Sequence, residues 1–390
     1  MSRSRLPKLR FPEFRDAGEW EIQPFKKLFS IGNGRDYKHL STGNVPVYGS
    51  GGYMLSVDEH LYDGESVCIG RKGTINNPMF LIGKFWTVDT LFYTHSFNEC
   101  LPKFIYAIFQ SIDWLKHNEA GGVPSLSKAN IEKIEVAVPK PTEQQRIADC
   151  LSSLDELITL EAQKLATIKT HKKGLMQQLF PAEGETMPKL RFPEFRDAGA
   201  WEPKSIGKLG EVVTGSTPST AQPEYYGGEK LFVSPADISD GRFIEKTKTT
   251  LTESGFRETR PIKANSILFV CIGSTIGKIA QNRHECATNQ QVNSVIPNSV
   301  NSDGFVYYAL SGIADKIANL AGKQAVPIVN KTLFSSVELT VPKLPEQNRI
   351  AICLSSLDEL ILAQTQKLAT YKSYKKGLMQ QLFPSPEEIE

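Results

Sequence analysis

Cysteine is scarce in this chain, and none of it is spaced for chemistry. Six cysteines in 390 residues, with no CxxC and no Cys/His cluster, exclude a disulfide framework and a structural zinc site. The six histidines (39, 60, 95, 117, 171 and 284) show neither metal nor triad spacing. No apolar run approaches the roughly 18 residues a membrane span needs. The N-terminal MSRSRLPKLRFPEF has no apolar signal region, so the cytoplasm is the expected location. Charge of one sign is lacking as well: the formal net charge is +2, far from the surplus of a free-standing nonspecific DNA binder.

Catalytic motifs are missing too. Gly273-Ser274-Thr275-Ile276-Gly277-Lys278 is a GxxxGK, one residue short of a P-loop, and Ile279 stands where a metal-binding hydroxyl is needed. Asn77-Pro78-Met79-Phe80 lacks the second proline of an amino-methyltransferase motif, and no glycine-rich cofactor loop accompanies it. No carboxylate pair recurs for acid–base work. The expectation is a non-catalytic chain with no cofactor and no metal.

What the sequence does contain is a duplication. Residues 143–181 match 346–384 at 30 of 39 positions, at an offset of 203. PKLRFPEFRDAGEWE at 7–21 returns at 188–202 with a single change, Glu19 to Ala200. Between these frames lie two divergent lobes. Leu28/Leu209 and Gly34/Gly215 keep the shift of 181, whereas Val67-Cys68-Ile69-Gly70 against Val270-Cys271-Ile272-Gly273 reads as 203. That alignment puts 22 extra residues between Gly215 and Val270. It also makes Cys68/Cys271 and Cys150/Cys353 equivalent, and all four read as reduced, buried thiols.

A period near 200 residues is tandem domain duplication rather than a solenoid. The expected domains are an N-terminal repeat segment (1–22), a first recognition lobe (23–141), a first spacer helix (142–181) and a linker with the second repeat segment (182–203). A second lobe (204–344), a second spacer helix (345–384) and a tail (385–390) follow. Short β-branched runs such as 45–55, 66–75, 266–280 and 292–297, with helical stretches near 102–117 and 304–320, predict a mixed α/β fold for both lobes.

The long helices carry apolar residues at alternating steps of 4 and 3. The first stripe is Ile147, Leu151, Leu154, Ile158, Leu165, Ile168, Leu175 and Leu179, broken at Glu161 and Lys172. The second is Ile350, Leu354, Leu357, Ile361, Leu368, Tyr371, Leu378 and Leu382, broken at Gln364 and Lys375. Each is a coiled-coil seam of more than four heptads. Two seams in one chain can bury each other, and the lobe between them favours antiparallel pairing about a pseudo-twofold. Thr142 with Gln145 forms a capping-box pattern, and Pro181 and Pro384 end the helices. A 38-residue helix spans roughly 57 Å, more than one turn of B-DNA at about 34–36 Å, so the helices read as a ruler.

Polar residues on glycine-flanked loops are the candidate DNA contacts. In the first lobe they are Arg35, Lys38, His39, Ser50, Tyr53, Arg71, Lys72 and Thr74. In the second they are Ser216, Thr217, Ser219, Arg242, Ser274, Thr275, Lys278, Asn289, Gln290, Gln291, Lys323 and Gln324. Arg and Lys suit guanine, Asn and Gln suit adenine, and hydroxyls and ammonium groups suit phosphates.

Several segments together resemble the specificity (S) subunit of type I restriction–modification enzymes. They are the tryptophan-to-glycine stretch 201–228 with VTGSTPS, SILFVCIGSTIGKIA (266–280), ATNQQV (287–292), and VPKLPEQNRIAICLSSLDELI with its twin VPKPTEQQRIADCLSSLDELI. The resemblance covers essentially the whole chain; the first lobe departs from it more, with VYGSGGYM and CIGRKGTINNP. It implies two target-recognition domains, each reading one half of a bipartite double-stranded DNA target. It also implies helices that dock two modification (methyltransferase) subunits, with restriction subunits joining through the complex and no membrane involved. Methylation and ATP-dependent cleavage would then belong to the partners. A protein scaffold that binds no DNA, or an enzyme, are the rival readings. Electrophoretic mobility with random duplex separates the first, and S-adenosylmethionine binding by the isolated chain would revive the second.

Overall fold

A computed structural model describes residues 6–239, 241–322 and 326–384. The chain divides into two compact units, one built from residues up to Ala162 together with those from Gln366, the other from Gln163 to Thr365. The division cuts both long helices, Pro141–Leu179 and Leu344–Leu382. Each unit therefore contains a lobe, the start of the helix that follows it, and the end of the other helix.

In the first unit, Glu21–Pro24 pairs antiparallel with Glu135–Val138 at the base of the lobe. A four-stranded sheet runs in the order Ser30–Asn33, Leu91–His95, Ser66–Gly70, Met79–Leu81. A second is ordered Gly52–Val57, Thr42–Gly49, Lys84–Thr87, Tyr62–Asp63. The expected extended run 45–55 is a hairpin that turns at Ser50 and Gly51. Helices Pro102–Ser111 and Lys128–Lys133 cover the apolar face.

The second unit repeats the plan: Glu202–Ser205 pairs with Glu338–Val341. A five-stranded sheet is ordered Gly210–Thr214, Val292–Pro297, Ile267–Val270, Ile279–Asn282, Phe243–Ile244. A three-stranded sheet is ordered Thr249–Leu251, Tyr226–Val233, Ala287–Thr288. The fifth strand, Phe243–Ile244, has no counterpart in the corresponding sheet of the first lobe.

Backbone hydrogen bonds fix the true correspondence between lobes. Arg71 N–H donates to the Thr90 carbonyl (2.8 Å) and Cys271 N–H to that of Gln291 (2.8 Å). Gly73 N–H donates to Pro124 (2.9 Å) and Gly273 N–H to Pro327 (3.0 Å). Gly73 and Gly273 both hold positive φ, 90° and 96°, a conformation open to glycine. Here the offset is 200, so Cys271 occupies the place of Arg71, not of Cys68. The VCIG match is a chance slip of three residues. The thiols differ in burial as well: Cys68 and Cys271 are buried, whereas Cys150 and Cys353 are only half-buried.

Both long helices begin on a lysine carbonyl rather than on a capping box. Lys140 accepts from the N–H groups of Glu143 and Gln144, and Lys343 from those of Glu346 and Gln347. Gln145 instead reaches forward to Asp149 (2.7 Å). Six seam residues near the helix ends, Ile147, Leu151, Ile350 and Leu354 at the starts with Leu179 and Leu382 at the ends, enter the lobe cores. The remaining seam residues are half-buried, and none of the sixteen is exposed. In the first unit Asp155 pairs with Lys375 (2.6 Å) and Glu161 with Lys367 (2.6 Å), so the helical segments run antiparallel. In the second unit Lys172 pairs with Asp358. The polar breaks at 161, 172 and 375 are thus ion pairs made within the helix pairing.

Each core is completed by the other copy's helix. Trp20, Phe104 and Phe383 form one aromatic triad with centroid separations of 6.1, 6.4 and 5.7 Å. Trp201, Phe305 and Phe180 form its twin at 5.8, 6.2 and 5.4 Å. Large aromatic faces at these spacings contribute through area as well as edge-to-face geometry. The repeated N-terminal segment is locked beneath. Arg10 grips Glu143 with two bonds of 2.7 Å, and Arg191 grips Glu346 likewise. Trp20 and Trp201 each donate a third bond to the same carboxylate. The hydrogen bonds and charge of the glutamates raise the pKa of both guanidinium groups. No described helix is long and apolar enough to cross a membrane.

Candidate nucleic-acid interface

One turn organises the candidate loops of each lobe: Thr87–Thr90 in the first and Thr288–Gln291 in the second. A glycine lies against each turn because nothing larger fits. A Cβ on Gly34 would sit 1.9 Å from the Val88 carbonyl oxygen, and one on Gly215 would sit 2.2 Å from that of Asn289. The glycine N–H groups donate to Leu91 (3.2 Å) and Val292 (3.1 Å), and the next residues, Arg35 and Ser216, donate to Thr87 (2.8 Å) and Thr288 (2.9 Å). Two loops are thereby clamped to one turn, in the same way, in both lobes.

On that shared backbone the side chains are unlike. Arg35 stands where Ser216 stands, Arg71 where Cys271 does, Lys72 where Ile272 does, and Asp89 where Gln290 does. In the first lobe, Lys38, Ser50 and Tyr53 line an open cleft of about 710 Å³ with Asp36, Asp89 and Thr90. Arg71 and Lys72 join this cluster through N–H bonds to Thr90, and Thr74 follows Gly73 on the same exposed loop. Arg71 also lies 6.0 Å from the Phe92 ring. His39 leans edge-on against Trp86 at 5.9 Å, and the Trp86 indole N–H donates to the Arg35 carbonyl. Three of the eight first-lobe candidates, Lys38, Ser50 and Tyr53, thus line the cleft itself, and Arg71 and Lys72 are bonded to its Thr90.

The second lobe offers amides and hydroxyls. Thr217 donates to Gln290 (2.6 Å), Asn289 to Gln291 (3.1 Å), and Gln291 to the Ile272 carbonyl. Ser216 bonds the Thr288 carbonyl through its N–H, Ser274 and Thr275 follow Gly273, whose Cβ position would lie 3.4 Å from the Gln291 amide, and Ser219 is exposed. The Lys278 ammonium is tied to the Ile238 carbonyl at 3.2 Å. Arg242 is not brought here: its guanidinium bonds Gln281 (2.8 Å), Tyr308 (3.0 Å) and Ser355 (2.5 Å) beside the second long helix. Lys323 and Gln324 lie outside the described residues.

Sequence reasoning missed Arg260. Its N–H donates to the Ser216 hydroxyl, and its guanidinium caps the Thr214 carbonyl at 2.9 Å. It sits in the stretch particular to the second lobe, where comparing repeats is silent. Burial pushes the thiols of Cys68, Cys100, Cys271 and Cys286 up to about 12, which makes them poor nucleophiles. Among the described residues no group of three or more His, Cys, Asp or Glu is placed to hold a metal ion.

The duplicated lobes each match a known family. The model described as "Type I restriction modification DNA specificity domain" fits residues 17–170 and again 199–370. The chain belongs to that family. Among curated specificity-family members, it is 23% identical over 315 residues to the HindI specificity subunit of Haemophilus influenzae. That match covers 63% of this chain and 68% of that one. The EcoR124I/EcoR124II specificity subunit of Escherichia coli is 26% identical over 286 residues, 67% of this chain and 66% of that one. The chain thus spans about two thirds of the length of these curated relatives. The crystal structure of a type I S subunit from M. genitalium superposes with a TM-score of 0.68 over 97% of this chain and 99% of that one, at 15% identity. At that identity the likeness is one of fold. As a specificity-family member, the chain is a DNA-recognition component of type I restriction–modification.

Proposed function

We propose that the first lobe (23–141) reads one half of a bipartite duplex target, and that the second (204–344) reads the other. The observation that carries this reading is the clamped turn: one backbone arrangement, made twice, presents different side chains at matching positions. Recognition of two unlike sequences by one scaffold needs that combination, because backbone bonds hold the loops while side chains read base edges. Arg35, Lys38, Arg71 and Lys72 supply guanine and phosphate contacts on one side. Ser216, Thr217, Asn289, Gln290 and Gln291 supply amide and hydroxyl contacts on the other.

The paired helices set the unread gap between the half-sites. Their outward faces, with the repeated segments 7–21 and 188–202, form two equivalent docking surfaces for two copies of a modification subunit. Restriction subunits join through that assembly, and methylation and ATP-dependent cleavage are their chemistry. The test is to map methylated bases across the genome of a host carrying the intact system. The expected result is a split motif with one fixed gap; a continuous motif would overturn the reading.

A further inference from the structure

Each lobe is fastened to the helix pair by a polar contact at the same rung, and the two fastenings differ. The rung is an aspartate–lysine pair: Asp155–Lys375 in the first unit and Asp358–Lys172 in the second. In the first, Gln110 meets the rung from the lobe: its side-chain oxygen accepts from Lys375 at 2.9 Å, and Tyr106 on the same helix feels the charge of Asp155. In the second, the buried Tyr308 hydroxyl donates to Asp358 at 2.5 Å, and Arg242 donates to Ser355 one turn away. Arg242 is itself held by Gln281, whose amide donates to Asp303 at the start of helix Asp303–Gly312. Its guanidinium lies 4.9 Å from the Tyr308 ring centre, with Lys172 5.1 Å from the same ring.

The Arg242 part of this fastening comes from the added residues of the second lobe, whereas Tyr308 lies on helix Asp303–Gly312. Arg242 immediately precedes the fifth strand, Phe243–Ile244, which extends the sheet at its edge. The strand pairs with Ile279–Asn282, and this carries Arg242 to Gln281 and on to the helix. A partly buried cluster in which each charge has partners, closed around the buried Tyr308, holds its members in one geometry.

We propose that Arg242 and Tyr308 are positioning residues, fixing the seat of the second reading lobe on the helix pair and thereby the strictness of the recognised gap. This rests on the bipartite reading above. A lobe free to tilt would meet half-sites at neighbouring gap lengths; a bolted lobe would strain against them.

The experiment uses the full chain assembled with its modification subunits. Methylation rates are measured on duplexes whose gap is native, one base pair shorter or one longer, and on duplexes with single base changes in each half. Tyr308→Phe removes the bond to Asp358, and Ser355→Ala separately removes the helix end of the Arg242 contact. Preference for the native gap is expected to fall by roughly ten- to hundredfold, the range set by one hydrogen bond to a charged group. Base preferences in both halves stay as they were. Unchanged gap preference in a folded Tyr308→Phe or Ser355→Ala protein overturns the inference, as does altered base preference. Should Tyr308→Phe not fold, Ser355→Ala decides alone. If the unaltered complex shows no gap dependence, the bipartite reading itself fails; if it does and the variants match it, only this inference falls.

Discussion

Removing one partner of the lock beneath the second lobe should cost more than any surface ion pair could. Arg191 and Glu346 are 6% and 3% exposed at their side chains, joined by two bonds of 2.7 Å. The guanidinium also donates to the carbonyls of Gly199 and Ala198. In Glu346→Ala the cation stays buried without its counter-charge, a loss of about 3–5 kcal/mol. For a unit of some 200 residues each kcal/mol moves the thermal midpoint by about 2–4 °C, so the expected fall is about 6–20 °C. The double variant Arg191→Met with Glu346→Leu removes both charges and should be far less destabilised than the two single changes combined. Calorimetry on the two singles and the double measures the coupling. Glu143→Ala, which opens the equivalent lock on Arg10, should behave alike. A midpoint shift below about 2 °C in the singles, or simple additivity in the double, would refute the reasoning.

Exchanging residues 23–141 for another family member's lobe should change one half of the methylated motif and leave the other half and the gap alone; both halves changing would argue against modular reading. Arg71→Ala should cost roughly 1–3 kcal/mol in binding and relax one base position if the contact is bidentate to guanine, whereas an equal loss on all sequences marks a phosphate contact. Gly215→Ala, with its Cβ forced against the Asn289 carbonyl, should weaken recognition of the second half-site only, read by competition between duplexes altered in either half. Between pH 9 and 12 the unfolded chain ionises thiols that the fold keeps protonated up to about 12. Stability is therefore full below pH 9 and falls above it by about 1.4 kcal/mol per pH unit for each thiol. Cys286→Ala should flatten that slope in urea unfolding, and an unchanged slope would count against it.

The helices were legible because a heptad stripe and a 39-residue repeat are local, periodic signals. The partition of the cores was not. Nothing near Trp20 in sequence announces Phe383, since the contact depends on antiparallel pairing of segments hundreds of residues apart. Identity also misled: VCIG recurs by chance, while the true correspondence runs through backbone bonds to Thr90 and Gln291, which leave no residue signature. Arg242 departs from its expected place among the DNA contacts for a related reason. An arginine beside glycine looks exposed in sequence, but an added edge strand turns it toward Tyr308. The loops around Gly34 and Gly215 are legible as a cluster of glycine and polar residues because the close backbone approach there excludes a Cβ, a steric demand that sequence retains.

The ring of Phe383 closes the aromatic triad around Trp20, and Leu378, Met379 and Leu382 line the same interior. On the ribosome, then, the lobe translated first is finished last. Its tryptophan waits without this cover until Phe383 emerges, and a nascent chain stalled short of Leu378 presents that apolar hollow to chaperones.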